Sequence, residues 1–136
     1  AFGLGDGGAH CGAICDASMT TFLLSHWVRD RTRGPRLPLE FAVKKMTADT
    51  AGLYGLHDRG ILAPGYKADA NIIDLAGLRL HLPEVVHDLP TRARRLVQRA
   101  DGYRATIVSG EVTWRDGVET GARPGRVIRG SQPGPR

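Results

Sequence analysis

At Pro64-Gly65 the apolar residues of this chain change their period, and that change limits its fold more than any other feature. Upstream the spacing is helical. Met19, Phe22, Leu23, His26 and Trp27 recur at i, i+3, i+4, i+7 and i+8, which predicts a helix from Ser18, capped by Asp16 or Ser18 and ended by Gly34-Pro35. Pro38 suits the first turn of a second helix that would bury Leu39, Ala42, Val43 and Met46, and Thr47 would cap a further short turn through Leu53. Downstream the period is that of strands, over 70–75, 78–82, 103–109 and 111–115, with turns at Ser109-Gly110 and Asp116-Gly117 and a last edge strand at Val127-Ile128. The 18 glycines and 8 prolines keep these elements short, and the tail "GSQPGPR" reads as disordered.

A chain of 136 residues suits one domain with a moderate core. Two cysteines, with no apolar leader at the start, point away from a secreted disulfide scaffold and toward a reducing, cytoplasmic compartment. No apolar run approaches the length of a membrane span. The net charge of +5 gathers at Arg29, Arg31, Arg33 and Arg36 and again at Arg92, Arg94, Arg95 and Arg99, the second group reading as a basic helical turn. Aromatic residues for base stacking are not interleaved there, which disfavours nucleic acid as a partner.

The chemistry-bearing stretch is "GLGDGGAH", where Gly5, Gly7 and Gly8 flank Asp6 and free the backbone to present a carboxylate at the tip of an element. Two readings stand side by side: a polar turn in which Asp6 is a cap, and a loop that holds a site residue. The following "HCGAIC" has His10, Cys11 and Cys15 but no second ligand pair, a weak basis for structural zinc. His26 lies on the helical stripe and reads as a packed histidine bonded to backbone. In "DRGILAPGYKADANIIDL", Pro64-Gly65 fits a type II turn, and Asp58, Arg59 and Asp69 read as structural, Asp69 accepting backbone N–H groups where the chain enters its strand.

Three stretches, "GLGDGGAH", "MTADTAGLYGLHDRGILAPGYKADANIID" and "YRATIVSGEVTWRDGVETGARPGRVIRG", together resemble the C-terminal part of the amidohydrolase superfamily, and most closely the N-acyl-D-amino-acid deacylases. The resemblance implies an α/β fragment: residues 1–62 as the last strand, active-site loop and helices of a metal-dependent (β/α)8 barrel, 63–130 as part of a small β-sandwich domain, and 131–136 as a disordered tail. It implies that Asp6 is the catalytic acid/base and a zinc ligand, and that His10 and Cys11 belong to the substrate pocket. The family's remaining ligands have no counterpart here, since His10, His26, His57, His81 and His87 form no His-x-His pair. The chain, which opens on "AFGLGD" without a methionine, is accordingly expected to be a C-terminal piece, inactive alone. It would act with the remainder of the barrel on a small N-acyl amino acid, with a homo-oligomer left open. Two alternatives stand: another amidohydrolase such as a dihydropyrimidinase relative, and a non-catalytic basic β-domain that binds a protein or nucleic acid.

Overall fold

The computed structural model describes residues 10–13 and 15–135. The expected strand before Asp6, and Asp6 itself, lie outside them. Helix α1 (Met19–Phe22) continues without a break as a π-helix over Leu23–Asp30, closed by the Arg31 N–H on the His26 carbonyl at 2.8 Å. Helices α2 (Leu39–Met46) and α3 (Ala48–Leu53) follow, with Pro38 and Thr47 at their N-caps. The Thr47 hydroxyl caps nothing: it donates back to the Val43 carbonyl at 2.8 Å.

The expected helices are present, and the faces read for them are buried in part: Leu23, Ala42 and Met46 lie at the core as expected. Leu24 and Ala42 are the helical members of the apolar core, with Leu23, Val28 and Met46 packed against them, whereas Met19, Phe22, Trp27, Leu39 and Val43 are exposed. Each π-helical turn holds more residues than the α-helical spacing assumes, so the stripe read from that spacing rotates off the core.

After the switch point, β1 (Ala70–Ile73), β6 (Tyr103–Val108), β7 (Glu111–Arg115) and β8 (Val118–Glu119) form an antiparallel sheet in the order β1-β6-β7-β8. Both expected turns close hairpins. Ser109 and Gly110 have φ of 52° and 84°, and Asp116 and Gly117 have 47° and 81°, the paired left-handed backbone whose twist suits two-residue hairpins. Two ribbons lie outside this sheet: β2 (Arg79–Leu80) with β5 (Ala100–Asp101), and β3 (Glu84–Val86) with β4 (Arg95–Val97). The basic stretch expected as a helical turn instead holds one 3₁₀ turn at Pro90–Arg92 followed by the short strand Arg95–Val97, with Arg94 and Arg99 in the links on either side.

Two further expectations are corrected. Val127 and Ile128 pair with no strand. The tail is tied down at Gln132, which forms a parallel bridge to Leu56, with its N–H on the Gly55 carbonyl at 2.8 Å and its carbonyl accepting the His57 N–H at 3.1 Å. Backbone pairing needs no apolar side chain, so the polar composition of the tail concealed it. Among the described residues there is no barrel; the chain is α/β, with helices beside antiparallel strands.

The core joins the two halves. Leu78, 1% exposed, packs with Leu24 and Ala42. Tyr103 Oη meets the buried Thr21 hydroxyl at 2.7 Å, and Arg29 reaches the Ala76 carbonyl at 3.1 Å. Gly102 is the tightest point: its φ is +97°, and an added Cβ would stand 2.8 Å from Leu78 Cα and 3.0 Å from the Asp74 carbonyl oxygen. This core is small for the chain. The accessible surface is 9664 Å², against about 6,900 Å² for a compact monomer of this mass, and much of what is exposed is apolar, including Leu53, Tyr54, Leu62, Leu82 and Val127.

Two outcomes follow. Gly102→Ala is expected to lower stability by more than the ~1–2 kcal/mol of a left-handed alanine alone, because backbone rather than a flexible side chain meets the new methyl; denaturant titration measures it. The isolated 136-residue chain is expected to self-associate through its uncovered apolar surface, as light scattering would report; a monodisperse monomer with a sharp melt is the contrary result.

Candidate functional site

Residues 10–13 form a turn closed by the Ala13 N–H on the His10 carbonyl at 2.8 Å, with His10 at a φ of 57°. Histidine tolerates this left-handed backbone better than bulky or β-branched residues, and the turn reverses the chain just after the glycine-rich stretch. His10 is exposed and the Cys11 thiol is half-buried. Strand β4 holds the turn from outside: the Leu96 N–H donates to the Cys11 carbonyl at 2.7 Å, and the Arg94 side chain lies alongside Gly12. The backbone of Cys11 and Gly12 is thus held against Leu96 and Arg94. Asp6 lies outside the described residues. Cys11 and Cys15 are both free thiols.

The residues read as structural form one ionic knot. Arg59 grips Asp58 with two bonds, Nε to Oδ1 at 2.8 Å and Nη2 to Oδ2 at 3.0 Å, and reaches Asp69 Oδ2 at 3.4 Å. Asp69 also accepts a backbone N–H, as its sequence position implies, but from Ser109 in the β6–β7 hairpin at 2.8 Å rather than from its own turn. Between these acids, Gly65 has a φ of +85° and the Tyr66 N–H meets the Ala63 carbonyl at 3.2 Å, the arrangement of a type II turn at Pro64-Gly65. The Arg59 guanidinium holds the Asp58 carboxyl below the usual carboxylate range.

His26 differs from its expected environment. Its ring stacks on Phe22 at 4.9 Å with 5° between planes and meets Trp27 edge-on at 5.5 Å; aromatic contacts, not a backbone hydrogen bond, hold it. Farther along, His81 Nε2 lies 2.9 Å from Asp101 Oδ1 and ties β2 to β5. These two line a groove of about 990 Å³ with Ser18, Thr21, Tyr103 and Trp114, and neither His10 nor Cys11 opens into it.

Part of the charge is neutralised locally. Arg29 pairs with Asp30, Arg95 with Asp88, Arg99 with Glu84, Arg104 with Asp74 and Arg123 with Glu119. Asp88 is held below its ordinary range by Arg95, and Asp74 first by the Gly77 N–H and then by Arg104. As for metal, among the described residues no group of three or more His, Cys, Asp or Glu side chains is placed to hold an ion. The donors present there do not make a zinc site, since catalytic zinc takes three protein ligands.

The ribbon is the feature that periodicity missed. Its strands are only three residues each, too short for alternation to register, although the β-branched pair Val85-Val86 and the prolines Pro83 and Pro90 were a signal of extended chain.

Comparison with known proteins gives a consistent picture. The model of the amidohydrolase family matches residues 2–114. The D-aminoacylase of Alcaligenes xylosoxydans xylosoxydans is 37% identical over 106 residues, which is 78% of this chain and 19% of that protein. The N-acyl-D-aspartate deacylase of the same organism is 41% identical over 93 residues, 68% of this chain and 17% of that protein. An adenine deaminase of Methanoculleus marisnigri is 32% identical over 102 residues, 59% of this chain and 20% of that protein. The chain thus spans about a fifth of the length of the curated relatives it matches. No solved structure matches it.

The ionic knot predicts a pH dependence. The folded-state pKa of Asp58 is depressed, so its contribution is present above the unfolded value of about 3.9 and is lost as pH falls through the lower folded value. Asp58→Asn is expected to lower the melting temperature by a few degrees at neutral pH and to flatten the loss of stability on acidification. Asp69→Asn is expected to lower the melting temperature while leaving the activity of the complete polypeptide, per folded molecule, within about three-fold, because Asp69 ties backbone. Melting curves across pH, with activity normalised to folded protein, check both.

Proposed function

Because the chain belongs to the amidohydrolase family, we propose that it is part of an amide hydrolase acting on N-acyl-D-amino acids, with Asp6 as the residue that carries the proton. One observation supports this choice above others: relatives whose names specify D-amino-acid deacylation match a larger share of this chain than the adenine deaminase does. In this reading residues 1–62 are the end of a (β/α)8 barrel and 63–130 part of a β-domain, and the remainder of the barrel completes the site. The two free cysteines fit a cytoplasmic location, and among the described residues no helix is long and apolar enough to cross a membrane.

Amide hydrolysis requires a water that loses a proton as it attacks and an amine that gains one as it leaves. The Asp6 carboxylate accepts the first proton while the carbonyl carbon becomes tetrahedral. It then delivers that proton to the nitrogen as the C–N bond breaks. In this reading Gly5, Gly7 and Gly8 add no side chain around the carboxylate, and His10 and Cys11, four and five residues further along the chain, belong to the substrate pocket. The zinc implied by the family resemblance has Asp6 as its one ligand from this chain, and no step here is routed through it.

Asp6→Asn keeps the shape of the side chain and removes the proton acceptor. In the complete polypeptide kcat on N-acetyl-D-amino acids is expected to fall by roughly 10²- to 10⁴-fold, with circular dichroism unchanged. Near-normal turnover of the variant would return Asp6 to the role of a turn cap. Release of ammonia from adenine by the wild type, with no deacylation of N-acetyl-D-amino acids, would replace the substrate class.

A further inference from the structure

We propose that Arg94 is a specificity-determining residue that binds the carboxylate of the N-acyl amino acid; this rests on the deacylase reading above. Three observations carry it. First, the β3–β4 ribbon is built against the turn at residues 10–13. Its register pairs Val85 with Leu96, and the Leu96 N–H donates to the Cys11 carbonyl at 2.7 Å. Second, Arg94 lies on the side of the turn where the ribbon meets it: a Cβ added to Gly12 would stand 3.6 Å from the Arg94 carbonyl oxygen and 3.9 Å from its Cγ and Nε. The side chain therefore runs along the turn rather than away from it.

Third, two of its neighbours are occupied, whereas Arg94 and Arg92 have no carboxylate partner among the described residues, and of these two it is Arg94 that lies beside the turn. Arg95 makes a two-bond fork to Asp88, with Nε to Oδ1 and Nη2 to Oδ2 both at 2.7 Å. Arg99 Nε bonds Glu84 Oε1 at 2.8 Å. Arg94 is exposed and has no carboxylate partner among the described residues. The two pairs brace the ribbon and leave one guanidinium beside the pocket turn. The apex of the ribbon, Thr91 and Arg92, holds left-handed φ values of 62° and 57°, a costly backbone for a β-branched threonine.

A guanidinium is a planar fork that matches a carboxylate with two parallel hydrogen bonds. An N-acyl amino acid presents one amide to be cut and one carboxylate close to it. A cation on the turn that follows Asp6 in the sequence would fix the carboxylate and so orient the amide.

The test uses the complete polypeptide and two probes, N-acetyl-D-leucine and its neutral carboxamide, following release of acetate. The wild type is expected to prefer the acid. Arg94→Gln is expected to raise KM for the acid about 10- to 100-fold, the usual range for a lost charge-assisted pair, with kcat within about three-fold and the preference over the carboxamide abolished. Arg94→Lys is expected to restore part of the preference, since it returns the charge without the fork. An unchanged preference in Arg94→Gln overturns the inference, as does an equal loss on both probes, which would mark Arg94 as a support for the ribbon. Failure of the deacylase reading is seen earlier and separately: a wild type that releases no acetate from either probe removes both.

Discussion

The guanidinium of Arg59 is the interaction on which the arrangement of this chain most depends. It stands where the helical half ends and the sheet begins, and it engages acids from both sides of the type II turn, Asp58 before it and Asp69 after it. Asp69 passes the connection on to Ser109 at the tip of the β6–β7 hairpin. One cation thus sets the exit of α3, the start of β1 and the far end of the central hairpin. Without it two carboxylates would share the site uncompensated, and like charges at that range repel.

A second constraint lies at the other end of the sheet. Gly102 lets β5 and β6 pass so close to Leu78 and Asp74 that no side chain fits between them. That approach brings β2 beside β5 and sends the chain between them out as the β3–β4 ribbon, which meets the turn carrying His10 and Cys11. Packing around Leu78 therefore decides where an arginine on a ribbon stands relative to a turn distant in sequence. The π-helix contributes in the same way, for it turns Leu24 and Val28 toward Leu78 and leaves Phe22, His26 and Trp27 as an outward aromatic cluster.

Several of the chain's arginines are tied into local ion pairs. Arginines at 29, 59, 95, 99, 104 and 123 each face a carboxylate, most of them close in sequence or across a ribbon. Paired charges of this kind offer little to a phosphate backbone, whereas Arg31, Arg33, Arg36, Arg92 and Arg94 of the two basic stretches pair with no carboxylate among the described residues. Exposed pairs of this kind add little stability singly. Their effect here is on position, since they brace turns and the ribbon.

What the sequence determined by itself is whatever rests on neighbours along the chain. Ser109-Gly110 and Asp116-Gly117 specify hairpins because a glycine accepts positive φ without cost, and Pro64-Gly65 specifies its turn for the same reason. The places of α2, α3, β1, β6 and β7 follow from short-range patterns, and the family resemblance singled out Asp6, His10 and Cys11. Tertiary structure alone decided which face of the first helix is buried, because a change in helical winding moves every side chain around the axis without altering the sequence pattern. It alone paired Asp69 with Ser109, Gln132 with Gly55 and His57, and Leu96 with Cys11. Those bonds join groups far apart along the chain, several of them through backbone atoms that every residue carries, so nothing in the identity of the residues distinguishes the partners until the core has brought them together.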